Sequence, residues 1–234
     1  MIVLENVSKS FNGRWAVKGL NLLINKGEVF GLLGPNAAGK TTTIKMMAGL
    51  LGLAEGRILI NGYDIVSEPL KAKSILGYVP DKAFLYEKLT SREFLIFISS
   101  LHGVEKFQAF KRIDKLLDTF GIKEIEEELI ESYSQGMRQR LLFLSALIHN
   151  PLVLLIDEPF VGLDPFGVKM LKAMMRRLSS EGVTIFLATH SLHIAEELCD
   201  RVGLISKGSL IDLKNKEEIV IEGGLEGLFL KIPL

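Results

Sequence analysis

One stretch of the chain decides its fold: Val29-Phe-Gly-Leu-Leu-Gly34-Pro-Asn-Ala-Ala-Gly39-Lys40-Thr41. The part up to Leu33 is apolar and of strand length, which is typical of a strand buried on both faces. The part from Gly34 onward fits the pattern G-x-x-x-x-G-K-[ST]. A helix is then predicted from Lys40 to about Leu51, ended by Gly52. A buried strand, a turn of small residues and a helix in this order predict a loop that binds phosphate groups.

The chemistry of such a loop is direct. Backbone N–H groups point inward at the anion, and the helix N-terminus adds a partial positive charge. Lys40 supplies a point charge for the β and γ phosphates, and the Thr41 hydroxyl is a Mg²⁺ ligand. The alternative is an ordinary strand–helix turn with a surface lysine. The residues expected to contact phosphate are Gly34, Pro35, Asn36, Ala37, Ala38, Gly39, Lys40, Thr41 and Thr42.

A second apolar run, Leu152-Val-Leu-Leu-Ile156, ends in the two carboxylates Asp157 and Glu158. Ligands of open α/β sheets bind at the carboxyl ends of the strands, so these acids should face the phosphates. We expect Asp157 to hold Mg²⁺, directly or through water, and Glu158 to polarise an attacking water as general base. The alternative is a solvated strand end that leads into the turn at Pro159.

The periodicity along the chain predicts an α/β fold with a mainly parallel sheet, and the loop pattern after the first buried strand resembles that of P-loop NTPases. The first forty residues read as short strands joined by turns, which indicates an N-terminal antiparallel β subdomain. Helical periodicity from Thr90 to Asn150 predicts a helical insert. We therefore expect one domain over 1–234: a core with the β subdomain at 1–89 and 151–214, a helical subdomain at 90–150, and a short C-terminal extension at 215–234.

Composition narrows the class of protein. The chain of 234 residues carries 28 Lys and Arg against 28 Asp and Glu, so it lacks the basic excess of proteins that bind nucleic acid by neutralising phosphates. Its single cysteine, Cys199, has no internal partner for a disulfide, which is typical of a reducing compartment. No apolar run reaches the length of a membrane helix, and the first residues do not resemble a signal peptide. The sequence therefore predicts a cytosolic protein.

The remaining motifs resemble the nucleotide-binding domain of ABC transporters over nearly the whole chain and in the correct order. Tyr133-Ser-Gln-Gly-Met-Arg-Gln-Arg140 looks like the family's signature motif, at the predicted start of a helix that Ser134 would cap. Gly162-Leu-Asp-Pro165 looks like its D-loop, and Thr189-His-Ser191 like its switch histidine. Phe11 occupies the place of the aromatic residue that stacks on adenine, with Trp15 as the competitor.

This resemblance implies an ATPase that uses ATP and Mg²⁺ and in which two copies sandwich two nucleotides. It implies that Ser134, Gln135 and Gly136 contact the ATP held by the partner copy, as a second anion site at a helix start. His190 would sense the γ-phosphate, and Asp164 would organise the dimer interface and the catalytic water. A structural histidine and a turn-forming Asp-Pro are the alternatives for these two positions.

The same resemblance implies a membrane permease as partner, a location on the inner face of the cell membrane, and no nucleic acid. Solute would be moved by that separate membrane subunit. The signature variant and the segment Tyr78–Thr90 look more like exporter ATPases than importer ATPases, so export is favoured. Phe84, Leu85 and Tyr86 lie where the family docks its membrane subunit. Ordinary core packing under the helical insert is the alternative for these three residues.

The chain departs from the family at several positions. A glutamine that helps to bind Mg²⁺ is replaced by Asp81 in Gly77-Tyr-Val-Pro-Asp81, and we expect Asp81 to take over as a metal ligand with a shorter, charged arm. Ala37 stands where the family often has glycine. Gln135 and Met137 replace a glycine and a glutamine of the usual signature, which leaves Ser134 and Gly136 as the family's residues there.

Three other functions are alternatives to the transporter ATPase, and sequence features disfavour each of them. A soluble ABC-type ATPase acting on nucleic acid or ribosomes generally has two such domains or a long coiled coil, and this chain has one set of motifs and no heptad run. A regulatory subunit with little turnover would fit Asp81 but not Glu158. A GTPase is excluded because Asn25-Lys-Gly-Glu28 and Asn215-Lys-Glu-Glu218 both lack the aspartate of N-K-x-D.

Overall fold

The computed structural model describes residues 1–82 and 84–229. The strands are β1 (Ile2–Phe11), β2 (Arg14–Ile24), β3 (Val29–Leu33), β4 (Glu55–Ile60), β5 (Tyr63–Asp64), β6 (Leu76–Val79), β7 (Val153–Asp157), β8 (Thr184–Thr189), β9 (Arg201–Ser206) and β10 (Ser209–Asn215). The helices are α1 (Lys40–Met47), α2 (Pro69–Ser74), α3 (Ser91–Leu101), α4 (Lys106–Thr119), α5 (Gln135–Leu147), α6 (Pro165–Ser180), α7 (Leu192–Leu198), α8 (Lys216–Ile221) and α9 (Leu225–Phe229).

The strands form two sheets, as the sequence predicted. The larger sheet has the order β10-β9-β3-β8-β7-β6 and is parallel except for the edge strand β10. The smaller sheet, β2-β1-β4-β5, is antiparallel and comes mostly from the N-terminal part of the chain. The apolar residues of β3, β7 and β8 are buried throughout, because helices or the smaller sheet cover both faces of the larger one.

Two hydrophobic clusters lie on opposite faces of the larger sheet. One joins that sheet to α3, α4 and α5 of the helical insert and to α6 and α7. The other lies between the larger sheet, α1 and the antiparallel sheet, and it contains the stacked rings of Phe30 and Phe186, whose centroids are 5.7 Å apart. No helix in the described part of the chain has the length and hydropathy needed to span a bilayer.

The helix after the phosphate loop ends earlier than the sequence predicted. It was expected to reach Leu51 and to be stopped by Gly52, but α1 ends at Met47. Gly49 has a positive φ of 64°, which turns the chain away from the helix axis, and the Leu50 N–H then donates to the Lys45 carbonyl at 2.8 Å. The glycine that ends the helix is therefore Gly49 and not Gly52.

The C-terminal extension continues directly from the sheet. Asn215 caps α8 in a capping box with Glu218, and the Leu225 N–H at the start of α9 donates to the Glu196 carboxylate of α7. The extension up to residue 229 is thus attached to the helix that follows the predicted switch histidine. Residues 230–234 of the predicted extension lie outside the described residues.

A pair of stacked histidines ties the helical insert to the larger sheet. His102, which ends α3, lies parallel to His149, just beyond α5, with ring centroids 3.7 Å apart. The His149 Nε2–H donates to the Leu76 carbonyl of β6 at 3.2 Å, while its Nδ1 is buried without a partner among the described residues. Burial, helped by His102 and Arg112, lowers the pKa of His149 to about 4.

This depressed pKa predicts acid-sensitive folding. An unfolded chain protonates His149 near pH 6.5, whereas the folded chain resists protonation until about pH 4, so the free energy of unfolding should fall as the pH drops through this window. His149→Gln should lose less stability than the parent between about pH 7.5 and about pH 5, measured by urea unfolding. His193→Gln, at an exposed histidine, serves as the control. Equal acid sensitivity of all three chains would contradict the prediction.

Candidate functional site

The phosphate loop connects β3 to α1 through backbone conformations that suit small residues. Gly39 has a positive φ of 112°, and a Cβ there would lie 2.6 Å from the Ala16 carbonyl, so the position requires glycine. Ala37 also has a positive φ, 62°, although it is not glycine. The alanine at this family glycine position therefore holds a left-handed conformation, at a cost of about 1 kcal/mol.

Lys40 is buried at the start of α1, with its ammonium turned back over the loop. Its Nζ donates to the carbonyls of Gly34 at 2.7 Å and Pro35 at 3.1 Å, and it lies 4.0 Å from Glu158 Oε1. Burial lowers the pKa of Lys40, and the nearby carboxylates of Glu158 and Asp157 partly oppose that shift. Gly34 and Pro35 thus orient the lysine through their carbonyls.

Asp157 ends β7 with a carboxylate that is 1% exposed. Neither of its oxygens has a hydrogen-bond partner among the described residues. Burial raises the pKa of Asp157, and the neighbouring carboxylates of Asp81 and Glu158 raise it further against the opposing influence of Thr41 and Lys40. A buried carboxylate with unpaired oxygens beside a hydroxyl fits a divalent cation, and Mg²⁺ is typically held by one or two protein oxygens plus phosphate and water. Asp157 and Thr41 would hold it.

Glu158 follows the strand in a left-handed conformation, with φ of 46°. Its N–H donates to the Ala188 carbonyl of β8 at 3.0 Å, which fixes the turn. Its Oε1 lies 2.9 Å from His190 Nδ1, and its Oε2 accepts from the Thr189 hydroxyl at 3.1 Å. That hydroxyl accepts in turn from the Ser191 N–H at 3.1 Å. The two predicted catalytic residues are therefore in contact, and Thr189 orients the carboxylate.

One cleft of about 440 Å³ lies at the carboxyl ends of the strands; Lys40, Glu158 and His190 line it, whereas the predicted site residues Gly34, Pro35 and Asp157 are not part of its lining. The cleft is lined by Phe11, Ala16, Asn36, Ala37, Ala38, Gly39, Lys40, Thr41, Thr42, Asp81, Glu158, Val161 and His190. Phe11 is half-exposed, and Lys9 Nζ lies 5.5 Å from its ring centroid. Of the two aromatic candidates for the adenine platform, Phe11 lies in the cleft wall and Trp15 does not.

Asp81, which stands in place of glutamine, also lines this cleft. The combined negative charge of Asp81 and Asp157 contributes to a further shift: burial and these two carboxylates raise the pKa of Tyr78 to about 12. Three carboxylates thus accompany a single lysine in the described part of the site. The electrostatic field there favours a cation, as expected if Asp81 takes part in holding a metal.

The predicted signature residues lie elsewhere. Ser134 caps α5, with its hydroxyl accepting from the Met137 N–H at 3.3 Å, as the sequence predicted. Gln135 lies against the D-loop: a Cβ on Gly162 would be 2.5 Å from its side-chain carbon. Asp164 caps α6 by accepting from the Gly167 N–H at 2.7 Å. Ser134, Gln135, Gly136 and Asp164 are absent from the cleft lining, so one chain presents two separate elements.

Three contributors were not among the predicted site residues. Thr189 belongs to the histidine motif, and a hydroxyl directly before His190 at a strand end is the signal in the sequence that points to it. Ala16 and Val161 line the cleft without any pattern in the sequence that would have indicated it. Their positions follow from the packing of β2 and of the turn after β7.

Removing the Thr189 hydroxyl should disturb Glu158 without emptying the site. Thr189→Val keeps the shape of the side chain but removes the donor to Glu158, so we expect kcat for ATP hydrolysis to fall roughly tenfold with little change in KM. Thr189→Ser, which keeps the hydroxyl, should stay near the parent. A steady-state ATPase assay measures both, and a normal kcat in Thr189→Val would refute the role of Thr189.

Comparison with known proteins places this geometry in a family. A match to the family described as ABC transporter covers residues 17–161. The chain is 38% identical over 219 residues to the linearmycin resistance ATP-binding protein LnrL of Bacillus subtilis, covering 94% of this chain and 70% of that protein. It is 34% identical to the ABC transporter ATP-binding protein NatA of the same species, covering 98% of this chain and 92% of NatA.

A solved structure of an ATP-binding subunit of an ABC transporter has the same fold. It is 28% identical, superposes with a TM-score of 0.92, and covers 99% of this chain and 98% of that one. The match in sequence and in fold extends over the core, the helical insert and the antiparallel sheet. The chain belongs to the ABC transporter family as an ATP-binding subunit, and it is an ATPase.

Proposed function

We propose that two copies of this chain close around two MgATP molecules and that their hydrolysis drives solute movement by a separate membrane subunit. The observation that carries the proposal is the separation of two anion-binding elements in one chain. The cleft holds the phosphate loop, Lys40 and Glu158, whereas Ser134 and its helix start lie outside it. A second copy supplies the missing half of each site.

Within each cleft the chain's residues divide the work. Backbone N–H groups of the loop and the Lys40 ammonium bind the phosphates, and Phe11 carries the base. Thr41, Asp157 and Asp81 would hold Mg²⁺, which when bound would neutralise phosphate charge. Glu158 takes the proton of the attacking water. His190, whose Nδ1 lies 2.9 Å from Glu158 Oε1, responds to the γ-phosphate.

The Ser134 hydroxyl and the start of α5 face the nucleotide of the opposite copy. A helix N-terminus with unpaired N–H groups attracts the γ-phosphate, and Gly136 lets the backbone approach it closely. Because Gln135 packs on Gly162, closure moves the signature residues and the D-loop residue Asp164 together. ATP bridging the two halves stabilises the closed dimer, and hydrolysis removes that stabilisation.

We call Phe84, Leu85 and Tyr86 the docking segment. Phe84 is 90% exposed, so core packing does not account for it, while Leu85 packs on the core. The Tyr86 ring is edge-on to Phe97 of α3, with centroids 5.5 Å apart, and remains more than half exposed. Exposed aromatic side chains on an anchored base suit a helix of a membrane partner. Docking there would hold the chain on the inner face of the membrane.

Export is the direction we propose. The relative LnrL is named for resistance to linearmycin, and removal of a toxic compound from the cell is the simplest role for such an ATPase. Action on nucleic acid is disfavoured, because equal numbers of basic and acidic residues give no overall attraction to phosphate backbones. The membrane subunit would choose the solute.

The proposal predicts the behaviour of Glu158→Gln. This variant keeps the shape of the side chain but replaces one acceptor oxygen by an NH₂ donor and loses the base, so hydrolysis should fall at least about a hundredfold while ATP still binds. The unhydrolysed nucleotide should trap a dimer, visible by size-exclusion chromatography with light scattering in the presence of MgATP. Persistent hydrolysis would remove Glu158 as the base.

The same variant identifies the partner. Tagged Glu158→Gln, captured from its native membranes in mild detergent with ATP, should bring down a membrane protein with several spans. A ribosome, a DNA-associated complex or no partner would reject the transporter function while leaving the ATPase intact. A captured exporter of hydrophobic compounds would support the proposed direction, and an importer would contradict it.

Docking predicts a selective effect of Phe84→Asp. A charge on the exposed ring position should weaken assembly with the captured membrane subunit roughly tenfold or more and leave ATP affinity unchanged. Phe107→Asp, which changes another exposed aromatic residue, on α4 and 72% exposed against 90% for Phe84, is the control. Co-purification and nucleotide titration measure the two properties. Normal assembly of Phe84→Asp would show that the docking segment is not the interface.

A further inference from the structure

A single guanidinium connects the docking segment to the signature residues. Arg138, one turn into α5, donates from Nε to the Tyr133 carbonyl at 3.1 Å and from Nη2 to the Glu131 carbonyl at 3.0 Å. Its Nη1 pairs with the carboxylate of Glu87, the residue after Tyr86. The two carbonyls belong to the backbone that leads directly into Ser134.

The backbone of the two segments is also joined. The Glu131 N–H donates to the Glu87 carbonyl at 3.0 Å, and the Ile130 N–H donates to the Leu89 carbonyl at 2.9 Å. Thr90 and Leu129 form an antiparallel bridge. Residues 87–90 therefore lie as a short ribbon against residues 129–131, immediately before the turn that leads into Ser134.

The geometry explains why this position needs arginine. A planar guanidinium presents donors in fixed directions and reaches three acceptors at once, whereas a lysine ammonium at the same place reaches fewer and holds them less rigidly. The side chain of Arg138 is mostly covered. The nearby pair Lys88–Glu131 spans the same two segments at 2.6 Å, but Lys88 is 82% exposed, so that pair adds little.

We propose that Arg138 is a positioning residue that couples the docking segment to the placement of Ser134 on the partner's ATP. This inference rests on the proposed function, because it assumes that Ser134 closes on nucleotide held by a second copy. When a partner presses on Phe84 or Tyr86, Glu87 moves, and Arg138 carries the movement to the carbonyls of Glu131 and Tyr133. Conversely, closure of the dimer on nucleotide displaces the docking segment through the same contacts.

The test uses the full chain in the Glu158→Gln background, with MgATP as the probe. Arg138→Lys keeps the charge but loses the fork, and we expect it to raise the protein concentration for half-maximal dimer roughly tenfold. Affinity of the monomer for ATP should be unchanged, because Arg138 does not line the cleft. Lys88→Gln, which removes the other pair across the two segments, should dimerise like the parent. Dimer formation is read by analytical ultracentrifugation.

A double-variant cycle separates coupling from simple support. Glu87→Gln leaves both carbonyl bonds of Arg138 in place and should weaken dimerisation about threefold. If Glu87 acts through Arg138, the double variant should lose no more than Arg138→Lys alone. Full additivity of the two losses would overturn the coupling, as would normal dimerisation of Arg138→Lys, an equal defect in Lys88→Gln, or a matching loss of monomer ATP affinity.

Failure of the underlying function looks different. A Glu158→Gln parent that forms no dimer with MgATP rejects the two-copy arrangement, and the role of Arg138 falls with it. If the parent dimerises normally and Arg138→Lys dimerises equally well, only the inference about Arg138 is rejected. If Arg138→Lys fails to fold, Glu87→Gln still tests the coupling, because it leaves the hydrogen bonds from Arg138 to the two carbonyls in place. Normal dimerisation of Glu87→Gln then overturns the coupling.

Discussion

The site depends on the parallel alignment of β3, β7 and β8. Each of these strands is buried on both faces, so their register is set by tight packing on either side, and their carboxyl ends lie at one edge. That edge brings together Lys40 after β3, Asp157 and Glu158 at the end of β7, and His190 after β8. The sheet thereby brings residues that are far apart in sequence to one edge, where Lys40, Glu158 and His190 line the same cleft.

Two charged groups at this edge of the sheet, Asp157 and Lys40, are buried at an electrostatic cost. Asp157 is buried with unpaired oxygens, and Lys40 is buried against carbonyls and carboxylates. The pKa of Lys40 is lowered and the pKa of Asp157 is raised, because burial disfavours the charged form of each group. Burial of these two charged groups costs free energy, and phosphate oxygens or a cation bound beside them would replace the missing solvation. The carboxylate of Asp81 adds to the negative charge beside Asp157.

In the described part of the chain, two sets of polar contacts tie the helical insert to its neighbours. His149 bonds to β6 behind the sheet, and the ribbon of residues 87–90 with 129–131 lies beside the signature residues. Arg138 fastens that ribbon to the start of α5. The hydrogen bonds around Arg138 therefore join the segment before α3 to the residues that lead into α5.

Much of this protein was determined by its sequence alone. Local patterns predict several features, because spacing and periodicity are properties of neighbouring residues. These features are the phosphate loop, the acidic strand end, the order of the family motifs, the parallel sheet with its antiparallel subdomain and the Ser134 cap. Helix length after the loop was misjudged, since Gly49 and Gly52 give the same signal and only the backbone conformation distinguishes them. The tertiary structure alone decided that Phe11 and not Trp15 lines the cleft, that Thr189 orients Glu158, and that Arg138 reaches Glu87. Those contacts join residues separated by long stretches of chain, and their distances are set by how whole elements pack, which no local pattern encodes.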